Sequence, residues 1–172
     1  MDEHSSSSID YKNKSAFYGL IFGLFSSVFL YLSYKFQFQN TVVMSFVSLA
    51  VAFALVFYPI HLFKLENSNL LKLGEALKIG LIVGLVGGLV YAVYTYLHYK
   101  SIDTEFFANT LKESEKAIRE NSQGLSEEEL EQATKITAIM VSPFTVATMN
   151  LFTILFKSFI IALVVGLIKK SN

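Results

Sequence analysis

Four stretches of the chain are almost purely apolar, and the polar residues gather between them. Ala16 to Tyr34, Thr41 to Phe63 and Ile79 to Tyr99 contain no Lys, Arg, Asp or Glu, and Thr145 to Ile168 contains only Lys157. Each is close to the roughly 20 residues that a helix needs to cross a hydrocarbon core of about 30 Å. A helix in a soluble bundle keeps a polar face toward water, and these show none. The expected fold is all-α: an integral membrane four-helix bundle, one membrane domain over residues 1–172, with spans at about 16–34, 41–63, 79–99 and 145–168.

The joints are short, with one exception. Residues 1–15, MDEHSSSSIDYKNKS, read as a polar tail. Lys12 and Lys14 before an apolar run raise the idea of a secretory signal, but Tyr34, Lys35, Phe36 and Gln37 follow that run without a small-x-small cleavage site, so span one is expected to stay attached. Lys35 to Asn40 allow only a tight antiparallel turn into span two. Before span three, Lys72, Glu75 and Lys78 recur at three-residue steps as a solvated face, with Leu71, Ala76 and Leu77 as apolar surface at the membrane boundary. Pro59 is expected to kink or end span two, and Pro143 to end or kink the chain before span four.

The exception is a helical extramembrane loop between spans three and four, from Lys100 to about Ala138. It carries five basic and nine acidic residues, a net of minus four. Phe107, Leu111 and Ile118 share one stripe of a helix that could start near Asp103, and Asn121 to Gly124 supplies a stop. Ser126 with Glu129 three residues on spells a capping box, and Leu125 and Leu130 are spaced as a hydrophobic staple across it.

Composition agrees with lipid: 53% of residues are hydrophobic and 16% charged, where a soluble domain has about a quarter charged. The 14 basic and 14 acidic residues balance, which removes nucleic acid as an expected partner. Cys is missing, so disulfides, thiolate catalysis and Cys-ligated metals are excluded. His61 and His98, at the far ends of their spans, each read as interfacial residues rather than as metal ligands. No zinc-protease, nucleophile-elbow or phosphate-loop pattern occurs, and the glycines of span three lie inside an apolar helix rather than after a strand. No enzyme, cofactor or metal is expected.

Four spans put both termini on one side. Lys12, Lys14, Lys64, Lys72, Lys78, Lys169 and Lys170 fall on that side close to span ends, against Lys35 and the five basic residues of the long loop opposite. Under the positive-inside rule both termini are expected in the cytoplasm. Tyr31 and Tyr34, with Tyr94, Tyr96 and Tyr99, suit an aromatic belt at the other interface.

Two features within the spans stand out. Gly80, Gly84 and Gly88 form a glycine zipper at four-residue spacing beside Gly87, and Gly19, Gly23 and Ser27 repeat the spacing in span one. Small residues four apart let a second backbone approach, either span one against span three or a second copy of the chain. Lys157, with Asn150 and Thr153 seven and four residues before it on the same face, is a charge in mid-span. It either snorkels toward the outer interface along that polar face, or lines a water-filled cavity or anionic-lipid contact, or serves transport or partner binding.

The stretch LLKLGEALKIGLIVGLVGGLVYAVYTYLHYKSIDTEFF, Leu70 to Phe107, resembles a bacterial inner-membrane family catalogued as a domain of unknown function, number forty-one ninety-nine. Leu73, Gly74, Glu75, Ala76, Leu77 and Lys78 match the motif that opens the family's glycine-bearing span, and Ile102 and Asp103 match its exit. Thr104 replaces the proline expected there, and Lys157 stands in a region usually apolar or small, so neither takes a family role. The resemblance implies a four-span fold and brings no activity. The expected function is a non-enzymatic multi-pass membrane protein, an accessory or envelope subunit acting through helix-helix and loop contacts, with the lipid bilayer and a second copy or another membrane protein as its partners. The alternative is a small transporter or channel component using Lys157.

Overall fold

The computed structural model describes residues 3–37, 41–121 and 126–171, and among them every regular element is α-helical. The helices are α1 (Glu3–Phe36), α2 (Thr41–Glu66), α3 (Leu73–Ser101), α4 (Glu105–Asn121), α5 (Glu127–Met140) and α6 (Pro143–Lys169). Four of them, α1, α2, α3 and α6, contain segments long and apolar enough to cross a membrane: Tyr11–Phe36, Val42–Glu66, Leu73–Ser101 and Pro143–Lys169. The chain is an all-α integral membrane protein. Each span extends several residues beyond its apolar run, because a helix once nucleated adds a hydrogen bond per residue and continues into the polar flanks.

The structure bears on three sequence expectations at the ends of elements. The polar tail is helical from Glu3 and runs unbroken into span one. Pro59 does not end span two, since α2 continues through it to Glu66; neighbouring helices compensate for the lost backbone bond in a membrane bundle. The break expected at Pro143 is present: α5 ends at Met140, and Pro143 opens α6 as its first residue, where a missing N–H costs nothing. The break before it is capped by Ser142, whose Oγ accepts the Thr145 N–H at 3.2 Å, while Thr145 Oγ1 donates to the Ile139 carbonyl at 2.7 Å. The turn from Lys35 to Asn40, the stop from Asn121 to Gly124 and the Leu125 end of the staple fall wholly or partly outside the described residues.

Contacts divide the chain into two compact units. Unit one comprises residues 1–91 and 150–172, and unit two residues 92–149. In unit one α1 and α2 run antiparallel: Tyr11 meets Phe63, Tyr18 meets Tyr58, and Lys14 Nζ bonds Glu66 Oε1 at 2.7 Å. The core joins Phe22, Ala52, Val56, Ile60, Ile79, Val83, Ile154 and Ile161, and it also takes in Leu71 and Ala76. Those last two were expected at the membrane boundary. Ala76 is inward because Gly166 of α6 leaves room for it and for Leu73 to press against its backbone.

Hydroxylated residues lie inside this unit beside its apolar core, while many large apolar residues lie outside. Ser15, Ser27 and Ser158 are buried, whereas Phe46 and Phe156 are about two-thirds exposed, at 69% and 67%. That inversion suits lipid, which solvates Phe as well as a protein core does and leaves packing contacts to hold helices together. One end of the unit is closed by polar bonds. Ser171 N–H donates to the Leu71 carbonyl at 2.9 Å, Leu71 N–H donates to Ser171 Oγ at 3.1 Å, and that hydroxyl donates to the Asn69 carbonyl at 3.1 Å. Nearby, Lys64 Nζ donates to the Lys169 carbonyl at 2.8 Å, a cation at a helix C-terminus.

Unit two is built on the α4–α5 helical hairpin and the flanking ends of α3 and α6. The α5 start has both halves of the capping box: Ser126 Oγ accepts the Glu129 N–H, and Glu129 Oε2 accepts the Ser126 N–H at 2.8 Å. These bonds stabilise the ionised carboxylate and hold the Glu129 carboxyl below its ordinary range. His98 is buried, at 1% exposure, between Tyr94 and the edge of Tyr99. Tyr99 in turn packs on Phe106 and Phe107, which ties the start of α4 to the end of α3.

Candidate ligand site in the helix bundle

α3 is the hub of unit one because its glycines face two directions. On one side a Cβ added at Gly19 of α1 would stand 2.8 Å from the Val83 carbonyl oxygen, and one at Gly87 would stand 2.9 Å from that of Gly19. A Cβ at Gly23 would meet Val90 and the Gly87 carbonyl oxygen in the same way. On the other side, Gly84 faces Ser158 and Leu155 of α6, and Gly88 faces Leu151. Gly80 is set against Ala162. α1 and α3 therefore meet through Gly19, Gly23 and Gly87, while the Gly80, Gly84 and Gly88 series is turned to α6.

Drawing α1 and α6 onto α3 places their polar residues around a common space. A cavity of about 150 Å³ lies among Phe22, Phe25, Ser26 and Phe29 of α1, Ser48 of α2, Tyr91 of α3, and Asn150, Thr153, Ile154 and Lys157 of α6. The three polar residues singled out on span four thus line one cavity together. Lys157 is half-buried there, and Thr153 is exposed at its open side. Ser26 Oγ donates to the Phe22 carbonyl at 2.9 Å, so its proton is committed to its own helix. Phe25 and Phe29 stack at 5.8 Å and give the cavity an aromatic wall.

No carboxylate of the spans answers the Lys157 charge. Between the ends of the four apolar segments the acidic residues are Glu66 and Glu75. Glu66 binds Lys14, and Glu75 Oε2 accepts the Lys72 N–H at 2.7 Å to cap the start of α3. The cavity is consequently lined by one ammonium, with hydroxyls, an amide and aromatic rings as its other lining groups. Such a surface can hold an anion with an apolar body; it has no paired acid and base with which to break a bond.

Sequence reasoning misses Ser26, Ser48 and Tyr91. The available signal is a hydroxyl inside an otherwise apolar span, but Ser27 and Ser45 carry the same signal, and only helix rotation separates them. Ser27 donates to the Gly23 carbonyl at 2.8 Å instead of lining the cavity. His61 lies elsewhere in unit one, with Nδ1 3.2 Å from Lys169 Nζ and its ring stacked on Phe57. Among the described residues no three His, Asp or Glu side chains gather as a metal-binding group.

No curated protein and no solved structure matches the chain. A family model does, over nearly its whole length, and it spans both the Leu73 to Lys78 motif and the residues of the cavity. By that match to residues 17–171 the chain belongs to the family described as protein of unknown function (DUF4199).

Proposed function

We propose that the protein is a non-enzymatic accessory or envelope subunit of the bacterial inner membrane that acts through contacts of its helices and of the α4–α5 hairpin. The hairpin carries this reading. Its second helix has a complete capping box, and its two helices enclose a groove of about 420 Å³ bordered by Arg119, Glu127, Glu128, Leu130, Glu131 and Thr134. Ordering such a segment costs about 1 to 2 kcal/mol per residue in backbone entropy, an outlay suited to a surface that must keep its shape for a partner. The lysine distribution supports both termini in the cytoplasm and the hairpin outside.

Purification in mild detergent tests the reading. A stoichiometric membrane-protein partner, lost when Glu127, Glu128 and Glu131 are replaced by Lys, is the expected result. Recovery of the chain without any partner, in native membranes and at native expression, would refute it. For orientation, Glu113→Cys should react with an impermeant maleimide from the outer side in this Cys-free chain. Labelling only after inner-side access would reverse the topology.

A second reading, a small transporter or channel component, is favoured by the Lys157 cavity. A closed homo-oligomer with a polar lumen would support it over the first.

A further inference from the structure

We infer that the Lys157 cavity is a binding site for one amphiphilic anion, a single carboxylate or phosphate group carried on an apolar body. Charge comes first. A lysine at mid-span costs about 2.5 to 3.5 kcal/mol on insertion scales, and such residues pair or line a cavity. Lys157 follows Pro143 by fourteen residues, so its Cα lies about 21 Å along the helix from that end. The span's own carboxylates are engaged elsewhere, Glu66 by Lys14 and Glu75 by the Lys72 N–H. One half-buried cation, with no ion-pair partner among the described residues, calls for one anion from outside the chain.

Shape and lining define the rest of the ligand. The cavity, of about 150 Å³, has room for several waters, which suits an oxyanion and a few methylenes of an apolar body. Lys157 and Ser48 are among the polar residues of the lining, and Phe22, Phe25 and Phe29 are among its apolar ones. Four helices contribute, so the site exists only when α1 and α6 are both drawn onto α3 at their glycines. A fatty carboxylate and a phospholipid phosphate share the required chemistry.

Saturation binding to the purified full chain in neutral detergent tests the assignment, with radiolabelled oleate, phosphatidylglycerol, phosphatidylcholine and inorganic phosphate as separate probes. Saturable binding of oleate identifies a fatty carboxylate as the source, and saturable binding of phosphatidylglycerol a phospholipid. In either case affinity falls by about tenfold or more in Lys157→Met and stays within about threefold in Lys157→Arg, because one charge-assisted contact carries about 1.5 to 3 kcal/mol. A thermal melt of Lys157→Met no lower than that of the unsubstituted chain would show that the loss is local; if that variant fails to fold, Lys157→Gln and Ser48→Ala replace it, and both should weaken binding. Phosphatidylcholine binding as tightly as phosphatidylglycerol, inorganic phosphate binding without either amphiphile, or amphiphile binding unchanged in Lys157→Met would each overturn the proposal.

Discussion

Gly84 of α3 lies against Ser158 of α6 so closely that a Cβ at position 84 would stand 2.9 Å from the Ser158 Cβ. The next residue, Leu85, is 48% exposed on the outer surface. Replacing Gly84 by Leu must therefore push α3 and α6 away from each other, while Leu85→Ala removes volume that lipid can refill. Gly84→Leu is expected to lower stability in detergent by about 1 to 3 kcal/mol, the usual cost of overpacking. Leu85→Ala should stay within about 0.5 kcal/mol. Equal unfolding profiles for the two variants would rule out the close glycine contact.

Gly74 supplies the converse. Nothing lies within 4 Å of a Cβ built there, and it is the second residue of α3. Gly74→Ala is expected to leave stability unchanged or to raise it by up to about 1 kcal/mol, through the entropy of the unfolded chain. A loss of more than about 1 kcal/mol in a denaturant titration would mean that the start of α3 is not open as described.

The same contrast shows what could be read from the sequence. The four spans and the capping box at Ser126 and Glu129 were legible because composition, length and cap chemistry are local properties. The glycine spacing announced close approach, but not that Gly87 would serve α1 while Gly80, Gly84 and Gly88 serve α6. Those two faces differ by a helix rotation that an all-apolar span does not encode. Lys157, Thr153 and Asn150 could be grouped because they share one helix. Ser48 and Ser26 could not, since their meeting with Lys157 depends on the packing of other helices.

Ser158 offers a test with the opposite sign to most core substitutions. Its hydroxyl is fully buried and, among the described residues, has no hydrogen-bond partner. Such a group loses its solvation without compensation, typically about 1 to 3 kcal/mol. Ser158→Ala keeps the Cβ that touches Gly84 and removes the stranded oxygen. A rise in melting temperature is expected, and a clear fall would show that the hydroxyl is satisfied in the membrane.

Acid should loosen the hairpin at one place. The Glu129 carboxyl is held below its ordinary range by bonds from the Ser126 N–H and hydroxyl, so the ionised form is favoured when α5 is folded. The stability this adds is present above the unfolded carboxyl value of about 4.3 and is lost as pH falls through the lower folded value. Amide exchange at Glu128 to Leu130 should accelerate below about pH 4 beyond its intrinsic pH dependence. In Glu129→Gln, which keeps an acceptor but does not titrate, the extra acceleration should vanish. If it persists in the Gln variant, another group is responsible.

Centrally, α6 packs on α3 through the Gly80, Gly84 and Gly88 face, and α6 also supplies Asn150, Thr153, Ile154 and Lys157 to the cavity. Disulfide formation between Gly88→Cys and Leu151→Cys in native membranes measures this most directly, since the chain has no other Cys. A Cβ at Gly88 would lie 3.4 Å from the Leu151 Cα, so the two backbones come within the reach of a disulfide. Rapid intramolecular cross-linking under mild oxidant is the expected result. None is expected between Leu89→Cys and Leu151→Cys, because Leu89 is 48% exposed on the outer surface. Equal cross-linking of both pairs, or cross-linking of the Leu89 pair alone, would contradict this packing.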